Sequence, residues 1–202
     1  MLETIYLLLL GFIIGVSGAI LPGPLLVYTL SESVKKGYKA GPQVIFGHMM
    51  VEIVILVLIA LGVASFMNSK LFIDAVSLAG GIALLFMGVG LIKTRWSIDA
   101  KQPPKAYGTI AGGIIFSAFN PGFPVWWATA GARMLLEGYR VAGPFGVAVI
   151  VVGHWLADLG YFTLVSTLVH KGRQNILSEK NINKIKNLLA IMLLAIGTYF
   201  IL

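Results

Sequence analysis

Two segments of this chain carry the same kind of ionisable pair at the same spacing, Gly47-His48-x-x-x-Glu52 and Gly153-His154-x-x-x-Asp158. Residues four apart share a face of an α-helix, so each segment presents an imidazole beside a carboxylate. Both stand in long apolar stretches, where an ionised side chain costs about 2.5–3.5 kcal/mol at the bilayer centre on insertion scales. Groups held at that cost are candidates for binding something charged. Glu52 and Asp158 would take protons or a substrate ammonium, and His48 and His154 would tune or relay them, because imidazole titrates nearest physiological pH. Two imidazoles and two carboxylates also suit a divalent transition metal, so His48, Glu52, His154 and Asp158 carry a metal-ligand set as an alternative. The plain alternative is a self-neutralising pair on one helix or, for His48, a place near the headgroups.

A second pair of segments breaks helices. Leu21-Pro22-Gly23-Pro24 and Asn120-Pro121-Gly122-x-Pro124 put two prolines around a glycine. Proline removes a backbone hydrogen bond and clashes with the preceding turn. Freed backbone groups are tolerated at membrane depth only where protein or a water-filled cavity satisfies them. The positive end of a half-helix suits a carboxylate. Pro22, Gly23, Pro24, Asn120, Pro121 and Gly122 are therefore candidate substrate-binding residues, and the Asn120 amide can donate to a carboxylate or cap the second half-helix.

The elements that must position these groups follow from composition. The chain has 202 residues, 58% of them apolar, 11% charged and none Cys. A soluble domain is about 25% charged, so an ordinary soluble enzyme, a disordered chain and a disulfide-stapled module are excluded. A bilayer core needs about 20 apolar residues per helix. Six stretches meet or approach that length, at roughly 5–30, 42–66, 72–92, 109–132, 143–169 and 187–202. Alternate connections hold twelve of the fifteen Lys and Arg residues, which the positive-inside rule places in the cytoplasm with both termini outside. The net charge of +7 is thus an orientation signal and calls for no nucleic acid.

The two halves repeat one another. The His–carboxylate and Pro-Gly segments recur in order, as do Gly37-Tyr38 with Gly138-Tyr139 and Leu84-Leu85 with Leu193-Leu194. Three spans per half force the second half to enter from the opposite side, the inverted repeat of alternating-access transporters. The expected fold is an all-α integral membrane protein of six transmembrane helices, built as two inverted three-helix repeats with helices one and four broken at the Pro-Gly motifs. One transmembrane domain spans 1–202, with repeat one at 1–95, a linker at 96–108 and repeat two at 109–202. No phosphate loop, nucleophile–base–acid arrangement or Cys-based metal motif stands in the sequence, so neither an enzyme nor a cofactor is expected.

Gly15-x-x-Gly18-x-x-x-Pro22-Gly23-Pro24, followed by a basic segment with Gly37, resembles the signature of the LysE/RhtB family of amino-acid exporters, and Phe119-Asn120-Pro121 resembles that family's Asn-Pro-Lys motif. The resemblance covers nearly the whole chain and implies efflux of amino acids driven by the proton or membrane gradient. The family's Lys is Gly122 here, and the resemblance does not assign the His–carboxylate pairs to the amino-acid branch. Related transporters of the wider superfamily move metal cations, so a divalent-cation transporter is the second reading. The expected partners are an amino acid, protons or another coupling ion, and the lipid bilayer of the plasma membrane. A homodimer is compatible with spans this short.

Overall fold

The computed structural model describes residues 1–20, 23–62, 66, 69–93, 106–120, 122–176 and 179–202. Every regular element among them is helical. In chain order these are α1 (Leu2–Ala19), α2 (Pro24–Lys36), a 3-10 turn (Gly37–Lys39), α3 (Ala40–Ala60), α4 (Lys70–Lys93), α5 (Ala106–Ala118), α6 (Gly122–Trp126), a π turn (Trp127–Gly131), α7 (Ala132–Ile176) and α8 (Glu179–Ile201). Four stretches are long and apolar enough to cross a membrane, Leu2–Ala19, Pro24–Ala60, Lys70–Gly90 and Gly122–Gly172. Shorter apolar helices occupy Gly108–Ala118 and Ala190–Ile201. Large apolar side chains such as Leu9, Ile13, Val57, Phe86, Leu164 and Leu168 are exposed around the bundle. A surface of that kind fits contact with lipid.

Three packings organise the helices: α1 lies against α7, α3 against α5, and α4 against α8. The first two are close backbone approaches with the same spacing. A Cβ on Gly11 would sit 2.0 Å from the Ile150 carbonyl oxygen, and one on Gly153 would sit 2.2 Å from that of Leu8. At the other crossing, a Cβ on Gly113 would lie 2.1 Å from the Val44 oxygen and one on Gly47 2.1 Å from the Ile110 oxygen. Glycines in such places let transmembrane helices approach to backbone contact.

Several element ends differ from the sequence expectation. The sequence places Glu32, Lys35 and Lys36 in a loop, whereas α2 continues through Lys36. Glu32 is buried, 2.7 Å from Lys36 Nζ and 3.2 Å from Lys35 Nζ, and Thr109 Oγ1 of α5 donates to it at 3.1 Å. Those partners, with two cations at the helix C-terminus, hold the last turn. Two Gly-Pro steps, Gly41-Pro42 and Gly143-Pro144, stand a few residues after the matching Gly-Tyr pairs and differ in structure. Gly41 and Pro42 lie in the first turn of α3, while Gly143 takes φ +58° and separates α7 into arms 132–141 and 144–176. Pro144 opens the second arm, where its missing N–H costs nothing. Residues 96–105 of the expected linker at 96–108, with Asp99, Lys101 and Lys105, lie outside the described residues.

Candidate functional site

Each candidate site residue among the described residues lines one cavity. Gly23, Pro24, His48, Glu52, Asn120, Gly122, His154 and Asp158 surround a space of about 640 Å³. Pro22 and Pro121 lie outside the described residues. The remaining wall is mostly apolar, with Phe123, Trp126, Phe162, Ile196 and Phe200 among its members. α3 brings His48 and Glu52, and the second arm of α7 brings His154 and Asp158. None of the four is near the surface: their exposures are 8% for His48, 1% for Glu52, 3% for His154 and 3% for Asp158. His48 lies inside the bundle, on the wall of the cavity.

The two helix starts at this cavity are built differently. Gly23 is extended (φ −150°) ahead of Pro24, the first residue of α2. Asn120 Oδ1 accepts the Gly122 N–H at 3.1 Å, and its carbonyl accepts the Phe123 N–H at 3.0 Å. Of the two roles open to the Asn120 side chain, the geometry shows the cap, which satisfies a donor that the start of a helix otherwise leaves without a partner.

The four ionisable groups form a ring that joins α3 to α7. His48 Nε2 is 3.2 Å from Glu52 Oε1 and 3.8 Å from Asp158 Oδ2. His154 Nε2 is 2.9 Å from Glu52 Oε1 and 3.3 Å from Asp158 Oδ2. The far side of the His48 ring is anchored. Ser117 Oγ donates to the Gly113 carbonyl at 2.7 Å, so its contact with His48 Nδ1, also 2.7 Å, is one in which Nδ1–H donates. That leaves Nε2 aimed at the carboxylates. His154 has no such anchor: its Nδ1 is buried without a hydrogen-bond partner among the described residues. A Cβ on Gly15 would sit 2.8 Å from that nitrogen, and one on Gly18 would sit 3.1 Å from Trp126 Cε2. The Gly15-x-x-Gly18 pair, which opens the segment resembling the family signature, thus seats the His154 ring and the indole stacked on it at 5.1 Å.

Sequence reasoning missed the donors that hold Glu52. Trp155 Nε1 donates to Oε2 at 2.8 Å, and Trp127 Nε1 donates to Oε1 at 3.2 Å. Trp127 is fully buried and begins the π turn, a departure from α geometry that often marks functional sites. Trp155 could have been noticed as the neighbour of His154. Ser117 carried a signal too, since it stands four residues after Gly113 on a face of small residues. Asp158 is the counter-case. Its Oδ2 is buried and accepts no hydrogen bond from the described residues. Among the exposed charges, Arg133 stays on the surface, and Arg140 pairs with Glu137 at 3.0 Å.

Comparison with known proteins gives this geometry its setting. Residues 16–202 match the family described as LysE type translocator, and the chain belongs to that family. It is also similar to an uncharacterized membrane protein of Pseudomonas aeruginosa, 34% identical over 88 residues. That match takes in 42% of this chain and 40% of the relative's length. No solved structure matches. Together with its apolar helices, membership of that family makes the chain a multi-pass membrane protein.

Proposed function

We propose that the protein exports amino acids by alternating access between two inverted three-helix repeats, 1–95 and 109–202, within one transmembrane domain. One observation carries the reading: eight residues singled out by type and spacing, from both halves of the chain, line a single cavity. Its volume of about 640 Å³ is that of a site for a small organic solute and far exceeds the space of a bare cation. This favours an amino acid over a metal as cargo. The substrate carboxylate meets the starts of α2 and α6, and the ammonium lies toward the acidic ring. The side chain occupies the wall of Trp126, Phe162, Ile196 and Phe200.

The helix pairings support the repeat. Exchanging the first spans of the two halves with each other, and likewise the second and third, turns the α1–α7 packing into α5–α3 and returns α4–α8 to itself. The ring of His48, Glu52, His154 and Asp158 joins the halves across the cavity and is the place for a coupling ion, so transport draws on the proton or membrane gradient. The twelve basic residues of alternate connections put those connections in the cytoplasm and both termini outside the plasma membrane.

Counterflow tests the reading. Proteoliposomes loaded in turn with each member of an amino-acid panel are expected to accumulate the labelled form of one chemical group of amino acids. Accumulation no greater than in protein-free vesicles, across the whole panel and with folded protein, would reject it.

A further inference from the structure

We propose that His48 Nε2, the Glu52 carboxylate and Asp158 Oδ2 form a three-ligand site for a divalent first-row transition metal, with a further coordination position open to the cavity. The proposal rests on the reading of these side chains as an ion site and names the class of ion. The three residues offer ligand atoms that all lie within 4.8 Å of one another. A tetrahedral ion bound at about 2.0–2.2 Å holds its ligands about 3.3–3.6 Å apart, so side-chain torsions that close the widest pair by up to about an ångström bring all three into range.

Each ligand is prepared in its own way. Ser117 accepts the His48 Nδ1 proton and thereby turns Nε2, the atom suited to a metal, toward both carboxylates. Neighbours that fix the far nitrogen of a ligating histidine are the usual companions of metal sites. Glu52 is oriented by three N–H donors, from Trp155, Trp127 and His154, as ligating carboxylates generally are. Asp158 Oδ2 supplies the independent sign of a ligand. It is a carboxylate oxygen on a residue 3% exposed, aimed into the set and accepting no hydrogen bond from the described residues. Buried polar atoms without a partner are rare enough to need a reason. His154 Nε2 and His48 Nε2, 3.3 and 3.8 Å away, approach this oxygen without hydrogen-bonding it, and a bound cation would satisfy it.

Charge points the same way. With neutral imidazoles the set carries two negative charges, which one divalent ion neutralises. An imidazole with carboxylates selects zinc-like ions over soft ones, and the chain contributes no thiolate. Three protein ligands with an open position is the arrangement of sites that exchange a ligand, in contrast to closed structural sites.

The test uses the whole protein, free of any purification tag, in detergent. Calorimetric titration with Zn²⁺ is expected to give one ion per chain, with a rise in Tm that EDTA reverses, and Mg²⁺ is expected to produce neither. Asp158→Asn should lose the high-affinity event. Ser117→Ala removes only the hydroxyl behind His48 and should weaken Zn²⁺ affinity about 10–100-fold. Asp74→Asn, in an exposed pair with Lys70, should leave it unchanged. Absence of Zn²⁺ binding overturns the proposal, as does equal affinity in a Ser117→Ala protein of wild-type Tm. Counterflow on the same preparation separates the two readings: amino-acid exchange without Zn²⁺ binding overturns the metal site alone. Zn²⁺ binding without exchange upholds the site and rejects the cargo reading.

Discussion

Glu52 and Asp158 hold the same position in two matching segments, each one helical turn after a histidine, and they share one cavity. Their surroundings are opposite. Glu52 is met by two indole N–H groups and the His154 ring, whereas Asp158 Oδ2 accepts no hydrogen bond from the described residues. The histidines diverge in the same manner: Ser117 anchors the His48 ring, and Gly15 merely leaves room for the His154 ring. Spacing along a helix decides that a carboxylate enters the cavity. The residues packed against it decide whether it is a fixed anion that positions others or an oxygen open to a ligand.

Exchanging each carboxylate for its amide should sharpen this contrast most. Glu52→Gln leaves two indoles and an imidazole facing an amide, and losing one member of a buried charged network typically costs about 3–5 kcal/mol. A large fall in Tm of the detergent-purified protein is expected. Asp158→Asn removes no hydrogen bond seen in the structure, only contacts with the His154 and His48 rings at 3.3 and 3.8 Å, so it should lower Tm less than Glu52→Gln while abolishing gradient-driven export. Equal loss of Tm in both variants would erase the distinction. Trp155→Phe comes next. It deletes one charge-assisted bond to Glu52, worth about 1.5–3 kcal/mol, and should lower Tm without mimicking Asp158→Asn in transport.

The helix crossings offer a comparison of matched sites. Gly11→Ala on α1 and Gly113→Ala on α5 each drive a methyl into a facing carbonyl, and overpacking of this kind costs about 1–3 kcal/mol. The two variants should lose similar stability in thermal unfolding if the crossings are equivalent, and one neutral substitution would break the equivalence. The smallest effect is expected for Asp74→Asn, whose exposed ion pair with Lys70 is worth about 0–1 kcal/mol.

Much of the site was legible in the sequence because it rests on local rules. Helical spacing put His48 with Glu52 and His154 with Asp158 on shared faces. Apolar length announced a helical membrane protein, although the ends of α2 and the course of α7 were set by partners that local pattern does not contain. Thr109 of α5 and Lys36 of α2 both meet the buried Glu32 Oε2, and Gly143 breaks a helix at a step where Gly41 does not. What could not be read were contacts between residues far apart in the chain. Trp127 and Trp155 reach Glu52 from 75 and 103 residues away. Ser117 meets His48 across 69 residues. Such contacts arise only when α3 has docked on α5 and α7.

The claim that an amino acid passes through this cavity can be tested in a chain that has no cysteine of its own. Leu26→Cys places one thiol on the cavity wall, and Tyr38→Cys places one at the exposed start of the basic connection. The rate of maleimide modification is then measured with and without a saturating amount of the amino acid that counterflow identifies. The transported amino acid should slow labelling of Leu26→Cys and leave Tyr38→Cys unchanged, and an unaltered rate at Leu26→Cys would contradict passage through the cavity.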